Sequence, residues 1–479
     1  SRWARFSSWL ECCVVRANHR ARSPPRSPAA DRRVRVIVIG AGLAGLSAAE
    51  TLAAAGVDVR VVEAGHRFGG RVRTIHEPFV GGQWAESGAE WVDTVHHRMH
   101  GLMERFGVRT MGPGLEWTTI RRWLFWDRRR YAGDDLGSID ANVFEQVERY
   151  ESTVDAHAAG ITDPARPSLH PNAERLDAES LADVMARCEL GPAAHLFAQR
   201  NSEGEFASDP ARVSLLFVAQ QRAQEAAAAR SLGVEVRAHR VKGGLSQIPM
   251  AWGATLAEHR RITFEFGRRL TSVDQDSDSV SVGFDDGSVD EADSLVLATS
   301  LVPLRSVEWR IELSTEVRDA IFGLGYGTIT KTAVQFERRD WAPGYGTTSS
   351  VSQRLYDCSE DQGGVNGILM SYCGGVGGAN LAEVPEAERI RVITDDMRRV
   401  HDIEASSTGA FSRSWSIEPD YGGAYAVYEP GQVTRYWDVL RRPIGRIHLA
   451  GEHVATCTGY MEGAVESGCA VAERLIAGA

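Results

Sequence analysis

The stretch that most constrains the fold runs from Arg35 to Glu63. Val36 to Ile39 is a continuous apolar run of the kind a buried parallel strand requires, and Gly40, Gly42 and Gly45 follow at GxGxxG spacing, where a helix should begin. This pattern predicts a dinucleotide-binding turn. Gly40 allows the tight turn, Gly42 and the neighbouring Ala44 leave room for backbone N–H groups to approach a diphosphate, and Gly45 lets the helix lie close on its strand. The diphosphate then sits at the positive end of the helix dipole. Leu46 to Ala55 is alanine-rich and helix-favouring, Gly56 stops it, and Val57 to Val62 reads as a second strand that delivers Glu63 at its end. A carboxylate about 20 residues past the glycines is what grips the hydroxyls of an adenosine ribose.

Directly downstream, Glu63-Ala64 is followed by Gly69-Gly70-Arg71. With these blocks the chain resembles the flavin amine oxidase family, which includes monoamine, polyamine and L-amino acid oxidases. The resemblance implies FAD, whose far phosphate and ribityl chain need a second glycine-rich turn with a cation; Gly70 and Arg71 supply it. In the block Gly81 to Asp93 it implies that Gly88 and Ala89 run beneath the isoalloxazine ring. Trp91 matches an aromatic position lining the substrate cavity, and Asp93 falls where some plant polyamine oxidases carry a glutamate facing a cationic substrate. Glu90 and Asp93 read equally well as substrate contacts and as hydrogen-bonded loop carboxylates. Amino acid oxidases of the superfamily commonly place an arginine just after the glycine-alanine pair; Glu90 and Trp91 stand there instead, which argues against an amino acid substrate.

The resemblance continues to the C-terminal end. Leu270 would give its backbone to the adenine. Lys331, within the alternating stretch Gly325 to Phe336, matches the lysine that reaches a water beside flavin N5, where dioxygen reacts. A lysine inside an apolar strand costs free energy unless it is partnered. Trp415 matches a ring packed near the flavin, and Tyr425 and Tyr460 match the two walls of an aromatic cage in front of it. Ala424 stands where monoamine oxidases carry a cysteine bonded to the flavin, so non-covalent FAD is expected. In the final blocks Glu452 would bind the ribityl region, Met461 would offer its backbone N–H, and Ala464 lies on the helix aimed at the pyrimidine end of the ring. The helix dipole there favours negative charge on the reduced cofactor.

At 479 residues the chain is too long for a single core. The expected architecture is α/β: a Rossmann-type FAD-binding domain assembled from residues 34–107, 236–304 and 429–479, with an interleaved α+β substrate-binding domain from residues 108–235 and 305–428. Residues 1–33 are arginine-rich and proline-punctuated, read as a mobile basic extension with a poor secretory core. Ser180 to Cys188 and Asp209 to Ser231 are the clearer helices, the latter capped by Ser208-Asp209-Pro210. Trp117, Trp123, Phe125 and Trp126 read as core aromatics. Ile262 to Phe266, Leu270 to Val273 and Val280 to Phe284 read as strands of a meander, and Leu295 to Thr299 as a buried strand.

A net charge of −11 argues against nucleic acid and mildly favours cationic ligands. No window approaches the ~18 apolar residues of a membrane span. Seven cysteines without metal-ligand spacing point to reduced thiols in a cytoplasmic protein with no metal site; a homo-oligomer is left open. The expected chemistry is hydride transfer to flavin from the C–H beside an amine nitrogen, giving an imine, with dioxygen reduced to hydrogen peroxide. Three readings compete: an L-amino acid oxidase, a tailoring oxidase acting on an amine or amide C–N bond of a large natural product, and a flavin-binding protein without activity. An NAD-dependent dehydrogenase would leave Arg71 and the final block without a task.

Overall fold

The strand Arg35–Ile39 is the middle of a five-stranded, wholly parallel sheet in the order Ile447–Leu449, Ser294–Leu297, Arg35–Ile39, Asp58–Glu63, Ile262–Phe266. Val38 lies between Val296 and Val61, and all three are fully buried. Cover on both faces is why Val36 to Ile39 are all apolar rather than apolar at alternate positions. This computed structural model describes residues 35–116, 122–341 and 343–478. The extension predicted for residues 1–33, and Trp117, lie outside the described residues.

The helix Leu43–Ala54 follows the first strand across the glycine turn. Gly40 has φ +105°, and a Cβ there would stand 2.7 Å from the Ala298 carbonyl oxygen, so an L side chain is excluded twice over. On Gly45 a Cβ would lie 1.9 Å from the Gly40 carbonyl oxygen. The last helix, Met461–Ala477, crosses this first helix at equally close range: a Cβ on Gly468 would fall 2.1 Å from the Ala44 carbonyl oxygen, and the Ser47 hydroxyl donates to the Val465 carbonyl at 2.8 Å. Chain segments more than 400 residues apart in sequence are thereby locked around one turn.

The strand Ile262–Phe266 corrects the expected meander. It pairs in parallel with Asp58–Glu63 at the edge of the five-stranded sheet, while the hairpin strands Leu270–Gln275 and Val280–Phe284 belong to a separate four-stranded sheet. A strand with one face less covered alternates in either kind of sheet, so periodicity alone cannot separate the two placements. Glu308–Trp309 joins that four-stranded sheet although the sequence division put it with the substrate segments.

The largest sheet has seven strands, in the order Ser407–Ser414, Ile329–Phe336, Gly367–Gly374, Arg354–Asp357, Tyr345–Thr348, Arg122–Trp126, Arg129–Ala132. Ile329–Phe336 is buried at all eight positions. Helices cover the region between residues 143 and 232. Leu181–Arg187 is capped by a reciprocal Ser180/Asp183 box. The long helix starts later than predicted, at Leu215, with Ser214 accepting from the Phe217 N–H; Pro210–Arg212 is a separate 3₁₀ turn. Trp123 and Phe125 are core residues, as read from sequence, and Trp126 is partly covered. Among the described residues no helix is long and apolar enough to cross a membrane.

Candidate active site

A single cavity of about 2300 Å³ connects the glycine turn, the start of the last helix and one face of the seven-stranded sheet. It is well above the ~300–1,000 Å³ of a drug-sized pocket, so it has room for a long cofactor and a second ligand. Every cofactor, catalytic and substrate candidate singled out from the sequence lines it except Gly45, which packs behind the turn.

At one end Glu63 accepts from the backbone N–H groups of Ala41 and Gly65, both at 2.8 Å, one on each carboxylate oxygen. Each oxygen keeps acceptor capacity for a hydroxyl. Leu270 lines the same end at a β-bulge, where the pairing register shifts between Leu270 and Ser272 and part of the backbone leaves the ladder.

In the middle, Arg71 donates through Nη1 to the Ala424 carbonyl at 2.6 Å and to Glu452 Oε1 at 2.9 Å. Glu452 also accepts from the Ala426 and Gly459 N–H groups, at 3.2 and 3.0 Å. One buried carboxylate therefore ties together the second glycine turn, the Ala424 loop and the approach to the last helix. No side chain caps the last helix, and Met461 and Ala464 in its first turn face the cavity. Its first N–H groups remain open to an anion or to a carbonyl.

At the far end, Gly88 packs so tightly that a Cβ would sit 1.9 Å from the Arg71 carbonyl oxygen, and Ala89 donates its N–H to that oxygen at 3.2 Å. Trp415 fixes this segment from below by donating its indole N–H to the Ser87 carbonyl at 2.8 Å. Lys331 reaches over from the sheet: Nζ donates to Glu90 Oε2 at 2.7 Å and to the Gly88 carbonyl at 3.2 Å. Glu90 also accepts from Arg240 Nε at 3.1 Å and from the Tyr356 hydroxyl at 2.7 Å. Burial alone would raise the Glu90 carboxyl, but the Lys331 and Arg240 charges outweigh it and hold the group below the usual range. Of the two readings open for Glu90, the hydrogen-bonded loop carboxylate is the one the geometry carries, since three protein donors take up its oxygens. Trp91 stacks on the Arg240 guanidinium at 4.6 Å.

Tyr425 and Tyr460 both line this end, and burial pushes both phenols well above their ordinary value, so they stay neutral. The Tyr425 hydroxyl donates to the Gly204 carbonyl at 3.1 Å and lies 3.3 Å from the Tyr372 hydroxyl. The Tyr460 ring packs on His96 at 5.2 Å. Asp93 faces His96, whose Nδ1 accepts the Asp93 N–H at 3.0 Å and whose Nε2 lies 3.6 Å from Oδ2. Burial drives His96 down to about 3, so it is neutral and offers no counter-charge. Burial, then the charges of Glu225 and Glu205, raise Asp93 to about 7.

The sequence matches the family described as flavin containing amine oxidoreductase over residues 43–476. The chain belongs to that family. It is 23% identical over 454 residues to a probable flavin-containing monoamine oxidase A of Dictyostelium discoideum, covering 92% of this chain and 97% of that protein. It is 25% identical over 461 residues to an L-amino acid dehydrogenase of Synechocystis sp., covering 92% and 94%. Putrescine oxidase, solved with putrescine bound, has the same fold: TM-score 0.79, 24% identity, 93% of this chain and 99% of that one. The protein is thus an amine oxidoreductase with FAD as its cofactor, and the α/β class read from the sequence stands.

Sequence reading missed four residues of this region: Tyr356, Tyr372 and Arg354, which line the cavity, and Arg240, which pairs with Glu90. Arg240 carries no motif. Tyr372 and Arg354 are brought to Lys331 by strand pairing, since Lys331 pairs with Tyr372 and Tyr372 with Arg354 in ladder register, which sets Lys331, Tyr372 and Arg354 on one face of the sheet.

Proposed function

We propose that this protein oxidises an amine at the carbon next to nitrogen, with FAD held non-covalently along the cavity. The carrying observation is continuity: one cavity joins the glycine turn and Glu63 to Tyr425 and Tyr460, past Arg71 and the uncapped last helix. The residues fit the cofactor. Gly40, Gly42 and Ala44 would receive the diphosphate while Gly45 keeps the helix close behind them; Glu63 and Ala64 would take the adenosine ribose, Leu270 the adenine, and Gly70, Arg71 and Glu452 the phosphate and ribityl chain. Gly88, Ala89, Met461 and Ala464 would meet the ring. The five-stranded and seven-stranded sheets support a reading of two interleaved halves, one for cofactor and one for substrate.

When bound, FAD supplies the two-electron acceptor: the C–H beside nitrogen gives up hydride, the substrate becomes an imine or iminium, and dioxygen carries the electrons away as hydrogen peroxide. The chain supplies the setting. Tyr425 and Tyr460 stay neutral, and their π faces suit an amine nitrogen. Lys331, fixed by Glu90 and the Gly88 carbonyl, holds a positive ammonium where reduced oxygen species need a proton and a counter-charge. Trp415 orients the Gly88 segment, and Trp91 and Asp93 border the substrate space. Ala424 has no thiol for a flavin bond.

Purified protein mixed anaerobically with amines should lose its visible flavin band and regain it on admitting oxygen, with one peroxide per imine. Acid precipitation should release all the flavin into solution. Failure of every amine to bleach the band would sink the oxidase reading, and flavin retained by the precipitate would sink non-covalent binding.

A further inference from the structure

Most charged side chains around the cavity are matched. Arg222 pairs with Glu151 at 3.2 Å, with Asp155 at 3.6 Å and with Glu205 at 3.7 Å; Arg240 and Lys331 share Glu90; Arg71 has Glu452. Like Arg130, which donates to the Val400 carbonyl at 3.3 Å, Arg354 is unmatched. It lines the cavity from the strand Arg354–Asp357, and no described carboxylate forms an ion pair with it. Among the described residues its side chain makes one hydrogen bond, from Nη2 to the side-chain oxygen of Asn201, at 2.7 Å. A guanidinium has five N–H donors, so the others remain without a hydrogen-bond partner among the described residues.

The placement is as informative as the missing partner. Lys331, Tyr372 and Arg354 are ladder partners on three adjacent strands, so they share one sheet face, and strand spacing puts Arg354 roughly 10 Å across from Lys331. Nη1 lies against Gly204, where a Cβ would be only 2.0 Å away, and the Gly204 carbonyl takes the Tyr425 hydroxyl at 3.1 Å. Arg354 therefore stands at the hydroxyl end of Tyr425. Other charges around it do not neutralise it. Glu205, whose field reaches it, is paired with Arg222, and the neighbouring Arg122 adds a second positive charge. Burial, reinforced by Arg122, lowers the Arg354 pKa, the direction expected of a cation awaiting an anion.

We propose that Arg354 binds a carboxylate carried by the substrate, so that the amines this cavity selects are amines bearing a carboxylate. A planar guanidinium fork suits a planar carboxylate, and Asn201 holds it in position. This assignment uses an arginine from the seven-stranded sheet rather than one beside Gly88-Ala89, where Glu90 and Trp91 stand. It rests on the amine-oxidase reading for its substrate class, but not for its binding chemistry.

Two measurements on the FAD-loaded protein keep those apart. The first is binding of benzoate, read by perturbation of the flavin absorbance without turnover. Arg354→Met should weaken it roughly ten- to a hundredfold, the range of charge-assisted hydrogen bonds, and Arg354→Lys by less. The second compares kcat/KM for matched pairs of amines with and without a carboxylate, and Arg354→Met should lower the ratio within each pair by a similar factor. Equal benzoate binding by wild type and both variants overturns the proposal, as does an unchanged ratio. If benzoate binding responds to Arg354 while no amine reduces the flavin, the carboxylate site stands and the oxidase reading falls. Should Arg354→Met not fold, the Arg354→Lys variant carries both measurements: it keeps the charge, loses the fork, and must still weaken benzoate and lower the ratio.

Discussion

Replacing Glu90 with glutamine tests the network around Lys331 directly. The side chains of Lys331 and Glu90 are 2% and 5% exposed, and Nζ lies 2.7 Å from Oε2. At an effective dielectric near 20 such a pair attracts by about 6 kcal/mol before desolvation is counted. Desolvation offsets part of this, but it has already been incurred by both partners. Glu90→Gln leaves Lys331 and Arg240 buried without their shared carboxylate, and should destabilise by about 3–5 kcal/mol. Lys331→Met leaves Glu90 still held by Arg240 and Tyr356, so its cost belongs at the low end of that range. The double variant should cost less than the sum of the two by about 1–3 kcal/mol, since removing either partner already abolishes the pair. Guanidinium unfolding at fixed excess FAD measures all three. The pH dependence has a definite sign. Glu90 is held below the usual carboxylate range, so its contribution is complete above about pH 5 and disappears as acid protonates it. The wild-type advantage over Glu90→Gln should therefore be flat through neutrality and shrink below that. Additive costs within about 0.5 kcal/mol, or an advantage that survives acid protonation, would refute the reasoning.

Three further outcomes follow from other contacts. Gly468→Ala places a Cβ 2.1 Å from the Ala44 carbonyl oxygen, so the two helices must separate at a cost of about 1–3 kcal/mol; the purified protein should carry a lower ratio of flavin to protein absorbance, and full loading would contradict the packing. Glu63→Ala removes the acceptor of the Ala41 and Gly65 N–H groups and should raise the FAD dissociation constant roughly ten- to a hundredfold, measured by flavin fluorescence on dilution. Asp93, raised to about 7, favours the folded state below its unfolded value near 4, and that contribution is lost as pH rises through 7. Asp93→Asn should accordingly raise the melting temperature at pH ~8 and leave it nearly unchanged at pH ~4, whereas an equal gain at both would remove Asp93 from the titrating groups.

The cofactor half of this site was legible because its signals are local. A strand, three glycines, a helix and Glu63 occupy fewer than thirty consecutive residues, and the close approaches that demand Gly40 and Gly45 are made within that same span or against the adjacent strand end. The substrate half resisted reading because its meaning is made across the chain. Ile329–Phe336 alternates in sequence as if one face met solvent, yet every residue is buried: Gln335 is satisfied by Val80 and Gln83, Thr332 by Ser412, and Lys331 by Glu90. Likewise the helix expected to start at Ser208-Asp209-Pro210 starts at Ser214, whose hydroxyl also reaches across to Asp177 at 2.7 Å.

The same distinction changes how substrate preference should be read. The sequence argument against a carboxylate-bearing substrate rested on one local absence, that of an arginine just after Gly88-Ala89. A cation can serve the same cavity from any element that borders it, and ladder register brings Arg354 onto the face of the sheet that carries Lys331 and Tyr372. Glu90, occupying the position of the missing arginine, instead shares its one negative charge between Lys331 and Arg240. Arg354 stands at the hydroxyl end of Tyr425 with no ion pair to a described carboxylate, and a substrate that brought its own carboxylate would complete that pairing.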